Sequence, residues 1–166
     1  MKQSELVLTA LSGLGVLGIL VAFFSIHSNS SNVSGGKAPR KSREYFKNNE
    51  RNVLGSPMSP CSTNSEKVTG YFRDGYCSTD ATDRGTHVVC SVVDDAFLQF
   101  TKGRGNDLST PHPPSFPGLV EGDKWCLCAN RWMEAYKAGK APKIILESTK
   151  DSAIRFIPKD IIMKSQ

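Results

Sequence analysis

Cys126 and Cys128 stand one residue apart in GDKWCLCANRWMEAYKAG, residues 122–139. A thiolate is both a nucleophile and a soft metal ligand, whereas a protonated, buried cysteine is only a small hydrophobe. The pair therefore admits three readings: redox or nucleophilic chemistry, part of a metal site, or core packing. The segment DKWCLC reads as a short strand, and residues two apart on a strand share a face. Cys126 and Cys128 then project together, with Trp125 and Leu127 on the opposite, core side. Cys128 also falls at the start of the following helix. Backbone N–H groups there favour an anion, so Cys128 is expected to be the more reactive thiol.

A zinc or other soft-metal site would need two further ligands beside Cys126 and Cys128. Cys77 and His87 are the candidates, with Cys61 and Cys90 completing the list. His87 and Cys90 are three apart and face opposite sides of a regular strand, which leaves Cys90 with Val88 and Val92 as a core residue. The chain has five cysteines, an awkward number for a fully paired framework, and the paired C-x-x-C motifs of zinc ribbons are absent. Mostly free thiols are expected. Cys126 and Cys128 should be reduced and not joined to each other, because a bridge across one residue strains disulfide geometry. Packing is the leading expectation for these sulfurs.

A second candidate site is polar. GRGNDLST, residues 103–110, gathers Arg104, Asn106, Asp107, Ser109 and Thr110, and its glycines let backbone approach a ligand. Arg104 could grip a carboxylate or phosphate, joined by Arg73 and Asp74 from the turn in VTGYFRDG. The competing reading is that these side chains bond their own backbone in turns. No P-loop, dinucleotide fingerprint, nucleophile elbow or metalloprotease motif occurs.

The elements that would position these residues follow from punctuation. VTGYFRDG reads as a strand ending in a turn, and THVVCSVV (86–93) as a β-branched strand. Asp94 can cap a helix that Gly103 or Gly105 ends. NDLSTPHPPSFPGL holds four prolines and must be a loop. In ANRWMEAYKAG, Ala129, Trp132, Met133 and Tyr136 recur at helical spacing, with Gly139 as the stop. KIILES reads as a buried strand and DIIMK as a short helix after Pro158. Trp125, Leu127, Trp132, Met133 and Tyr136 are expected to form one core with Val88, Val92, Phe97 and Ile145. Short, irregularly alternating elements with long Pro/Gly-rich loops indicate a small α+β domain.

Charge divides the 166-residue chain into three. Residues 1–26 are neutral. Residues 27–51 carry six bases and two acids, and residues 52–166 are nearly balanced. The overall charge of +5 is thus a basic linker, with no interleaved basic and aromatic surface to suggest nucleic acid. Leu6–Ile26 is an uncharged run that would span roughly 31 Å as a helix, about a bilayer core. Its length and poor cleavage site favour a transmembrane anchor over a secretory signal. The basic flank places the soluble domain on the cytoplasmic or stromal side and within reach of anionic lipid. The expected division is an anchor (1–26), a flexible linker (27–51) and an α+β domain (52–166).

NVLGSPMSPCS, GYFRDGYC, HVVCSVV, GNDLSTPHP, FPGLVEGDKWCLCANRWMEA and APKIILESTK together resemble the bacterial family called domain of unknown function 2237, over about residues 52–165. The Asn-Asp-Leu-Ser-Thr-Pro loop combined with Trp-Cys-Leu-Cys is the specific part. Family members often carry a cysteine pair where this chain has Tyr76-Cys77. Most lack the span and basic linker. The resemblance implies a small α+β fold and no activity. Two functions follow from the residues. The first is a membrane-tethered binding module, such as an accessory subunit with a membrane-protein partner. The second is a small thiol- or metal-dependent enzyme using Cys126 and Cys128, with His87 or Asp107 assisting. The first is preferred on sequence.

Overall fold

A computed structural model describes residues 49–166. The run Leu6–Ile26 and most of the basic linker lie outside them. Among the described residues no helix is long and apolar enough to cross a membrane.

The centre of the domain is a three-stranded antiparallel sheet in the order β2-β1-β3, with β1 at Val89–Val92, β2 at Lys124–Leu127 and β3 at Lys143–Ile144. Val89 pairs with Leu127, Cys90 with Cys126 and Ser91 with Trp125. Alternation along β1 and β2 separates two faces. Val89, Ser91, Trp125 and Leu127 turn toward the main core, while Cys90 and Cys126 turn toward a small sulfur-rich cluster with Met58, Cys61 and Cys77.

Two helices cover the main-core face. Asp94 caps α1 (Asp95–Gly103), its carboxylate accepting from the Phe97 N–H at 2.7 Å. This is the role its position before the apolar repeat predicts. Helix α2 (Ala129–Lys137) follows β2 directly and buries Ala129, Trp132 and Ala135. The Trp132 indole N–H donates to the Pro142 carbonyl at 3.0 Å, so its one polar atom is satisfied inside. Two 3-10 turns, Leu146–Ser148 and Asp151–Arg155, and the short helix α3 (Lys159–Lys164) close the fold.

Three expectations are corrected. VTGYFRDG forms turns, not a strand. Gly70, Arg73 and Gly75 all have positive φ, and a Cβ on Gly70 would lie 2.2 Å from the Tyr76 carbonyl oxygen. KIILES contributes only the two residues of β3 before turning into a 3-10 helix. In the core, Val93 is buried where Val92 was expected. Tyr136 is 42% exposed with its ring stacked on Trp132, and Ile145 packs on the sulfur cluster. The class, a small α+β domain, is as the sequence indicates.

Candidate functional site

Cys128 does not continue strand β2. It is the N-cap of α2, at φ −58° and ψ 127°, and no side chain caps that helix start. The first-turn amides of a helix lack intrahelical acceptors, and Cys128, half-buried, stands at that helix start without capping it.

The Cys128 sulfur lies 3.1 Å from His87 Nε2. On the other side of the ring, His87 Nδ1 lies 2.7 Å from Asp83 Oδ1. The three groups form a continuous Cys128–His87–Asp83 relay. Asp83 is fixed from several directions: its side chain is fully buried, and Oδ2 accepts from the His87 backbone N–H at 2.8 Å and the Thr79 hydroxyl at 2.9 Å. His87 also stacks on Tyr71 with the rings 16° from parallel.

Local backbone chemistry brings the partners together. Residues 79–87 are rich in Thr, Asp and Gly, which bond their own backbone rather than extend. Thr86 sits at φ 51°, and its carbonyl accepts from both the Val88 N–H (2.9 Å) and the Ala129 N–H (3.1 Å). One carbonyl thus ties the His87 turn to the start of α2. Gly85 is required by space: a Cβ there would fall 2.5 Å from His87 Cε1 and 3.0 Å from the Cys128 sulfur.

The hydrogen bond to Cys128 raises the pKa of His87 to about 9, helped by Asp83 and opposed by burial. At neutral pH the ring is therefore protonated and donates from both nitrogens, to sulfur and to carboxylate. A cation held between a thiol and a carboxylate is the arrangement that activates cysteine nucleophiles.

His87 lines a cleft of about 640 Å³ shared with Tyr71, Arg73, Asp107, His112 and Trp125. Arg73 has φ 54°, an uncommon conformation for a long side chain. Its guanidinium lies 4.9 Å from the centroid of the Trp125 ring, and burial pulls its pKa below the ordinary value. Among the described residues no carboxylate is within ion-pair distance of it. Asp74, by contrast, accepts from the Tyr76 N–H in the turn.

The polar loop mostly bonds itself. Asp107 accepts from the backbone N–H groups of Ser109 and Thr110, from the Thr110 hydroxyl and from Lys102. The Thr110 hydroxyl, first among these, holds its carboxyl well below the usual range. Asn106 donates to the Thr101 hydroxyl at 2.8 Å, and Arg104 pairs with Glu134 of α2 at 2.7 Å. Of this loop only Asp107 and Leu108 reach the cleft.

The cysteines are otherwise arranged than the sequence suggests. Cys61 is bonded to Cys90 and Cys77 to Cys126, so four of the five are paired and only Cys128 is free. Cys126 and Cys128 are not bonded to each other, and they do not share a face. A metal set of Cys126, Cys128, Cys77 and His87 is not assembled, because Cys77 and Cys126 consume each other. Asp83 was not among the sequence candidates. Its signal is the four-residue spacing to His87, hidden among the turn-forming residues STDATDRGTH.

The family model for an uncharacterized protein conserved in bacteria (DUF2237) matches residues 51–166. The chain belongs to that family. No curated protein matches it.

Proposed function

We propose that the chain is a small thiol-dependent enzyme in which Cys128 is the nucleophile. The observation that carries this reading is the Cys128–His87–Asp83 relay, 3.1 Å and 2.7 Å long in its two links. The Cys128 sulfur, as the thiolate paired with protonated His87, attacks an acyl carbon and forms a C–S bond. The bond to the leaving group breaks, and the leaving oxygen, nitrogen or sulfur takes the proton from His87 Nε2. Neutral His87 then accepts a proton from water as water attacks the thioester; the C–S bond breaks, the acid leaves, and the thiolate beside protonated His87 is restored. Asp83 touches neither substrate nor sulfur; it is a positioning residue that holds the ring and stabilises its charged form. Arg73, which is exposed and has no carboxylate within ion-pair distance among the described residues, supports an acyl group bearing an anion such as a second carboxylate.

The test uses the full, unreduced chain and the mono-p-nitrophenyl ester of a short dicarboxylic acid, beside its uncharged analogue. The expected result is an acyl adduct on Cys128 by peptide mass, absent in Cys128→Ser and formed about 100-fold more slowly in His87→Gln. Arg73→Met should remove the preference for the charged ester. No adduct, together with alkylation of Cys128 by iodoacetamide no faster than a free thiol, would defeat the enzymatic reading. The binding-module reading would then be preferred.

Tethering is a separate proposal that rests on the uncharged run Leu6–Ile26 and the basic segment after it. A tethered domain resists extraction by alkaline carbonate from sealed vesicles. A mature N-terminus near residue 30 would overturn it.

A further inference from the structure

We propose that Cys61, Cys77, Cys90 and Cys126, when reduced, form a four-thiolate zinc site, so that the same sulfurs staple this fold as two disulfides or around one metal ion. The site is separate from the Cys128 relay and does not depend on its function.

The sulfurs already lie together. Those of Cys61, Cys77 and Cys126 are all within 4.8 Å of one another, and the Cys90 sulfur is bonded to that of Cys61. The two disulfides are therefore packed against each other. In a tetrahedral zinc site each sulfur is about 2.3 Å from the metal, which sets the sulfurs about 3.8 Å apart. Reduction would let the bonded sulfurs separate toward that spacing, while those of Cys61, Cys77 and Cys126 are already within 4.8 Å of one another.

The scaffold holds the four positions without the S–S bonds. Cys90 and Cys126 are direct cross-strand partners of β1 and β2. Their amides point outward, donating to the hydroxyls of Thr149 and Thr69 at 3.0 Å and 2.8 Å. This is the geometry of a non-hydrogen-bonded pair, in which side chains approach closely. Cys61 and Cys77 come from loops, and those loops are joined by the Cys61 N–H to the Gly75 carbonyl at 2.8 Å. Two ligands thus ride on the sheet and two on a hydrogen-bonded loop pair.

The chemistry of the donor set favours a soft metal. All four cysteines are buried, in a cluster with Met58 and with Tyr76 and Ile145 packed against it. Four buried sulfur donors suit structural zinc. If the domain lies on the reducing face that the basic linker predicts, disulfides would not persist there, and a metal would take over the cross-link.

The balance is complete with a phosphine reductant. Two phosphines and two waters convert the two disulfides to four thiols and two phosphine oxides, and zinc binding then releases up to four protons. The test takes the full chain, reduced anaerobically, with Co²⁺ and then Zn²⁺ as probes. Expected are a thiolate-to-cobalt charge-transfer band with tetrahedral ligand-field bands, about one zinc per chain, and none on the oxidised chain. Alkylation of the zinc form should modify Cys128 while sparing the other four. Cys128→Ser and His87→Gln should both keep full zinc binding. An absence of metal on the reduced, still folded chain would overturn the proposal. So would loss of zinc on changing Cys128 or His87, or free alkylation of all five cysteines in its presence.

Discussion

Replacing His87 by Gln should make the stability of the domain less sensitive to pH in one direction only. In the folded chain the imidazole titrates at about 9, held there first by Cys128 and then by Asp83. In the unfolded chain it returns to about 6.5. The folded state therefore binds more protons between those values, and stability must fall as pH rises through that window. The stabilising contribution is fully present below about 6.5 and is gone above about 9. The interval corresponds to at most about 3 kcal/mol. The ring is 33% exposed, so water screens part of it, and about 1–2 kcal/mol is expected. Guanidinium unfolding of wild type and His87→Gln with disulfides intact, at pH 6 and pH 10, measures the change. The wild-type advantage should shrink by that amount at the higher pH. A nuclear magnetic resonance titration reads the ring directly, and Cys128→Ser should bring its pKa down, since the hydrogen bond to Cys128 is the largest cause of the shift. A wild-type ring titrating near 6.5, or a difference between the two proteins that is constant with pH, would refute the paired thiol and imidazole.

Gly85→Ala should disrupt the relay sterically, because the added Cβ meets both the His87 ring and the Cys128 sulfur. Iodoacetamide labelling of Cys128 should change by about tenfold, with a stability loss of about 1–3 kcal/mol; an unchanged labelling rate would mean that the ring and sulfur are not packed against Gly85. Trp132→Ala should cost about 3–5 kcal/mol in the same unfolding assay, since Trp132 is fully buried and its N–H is bonded to Pro142. A loss below about 1 kcal/mol would remove Trp132 from the core.

The helices were legible because their signals are local. Asp94 before an apolar repeat and the spacing of Ala129 and Trp132 each specify an element within a few residues. The VTGYFRDG turn was not, because β-branched and aromatic residues advertise a strand while three positive φ values forbid one. Val88 packs in the core as expected, but the core residue at the end of β1 is Val93 and not Val92. Both faces of that strand are buried, so the alternation of apolar and polar residues that fixes register is missing from VVCSVV. Sequence chemistry could name Cys128 and His87 individually, but not Asp83, which looks like any other turn-forming aspartate.

The cysteines show where residue spacing stops carrying information. Placing Cys126 and Cys128 on one face assumed that the strand continues through both. It ends at Leu127, and the chain turns into α2 at Cys128. That single change of backbone state sends the two sulfurs apart. Cys126 keeps the strand direction and reaches Cys77 in the buried cluster. Cys128, released from the pleat, meets His87 beside the cleft. Neither partner is encoded nearby: Cys77 lies 49 residues from Cys126 and His87 lies 41 from Cys128. A strand-to-helix junction placed between two adjacent thiols thus gives one a structural role and leaves the other free for chemistry. Moving that junction by one residue would exchange or destroy both roles.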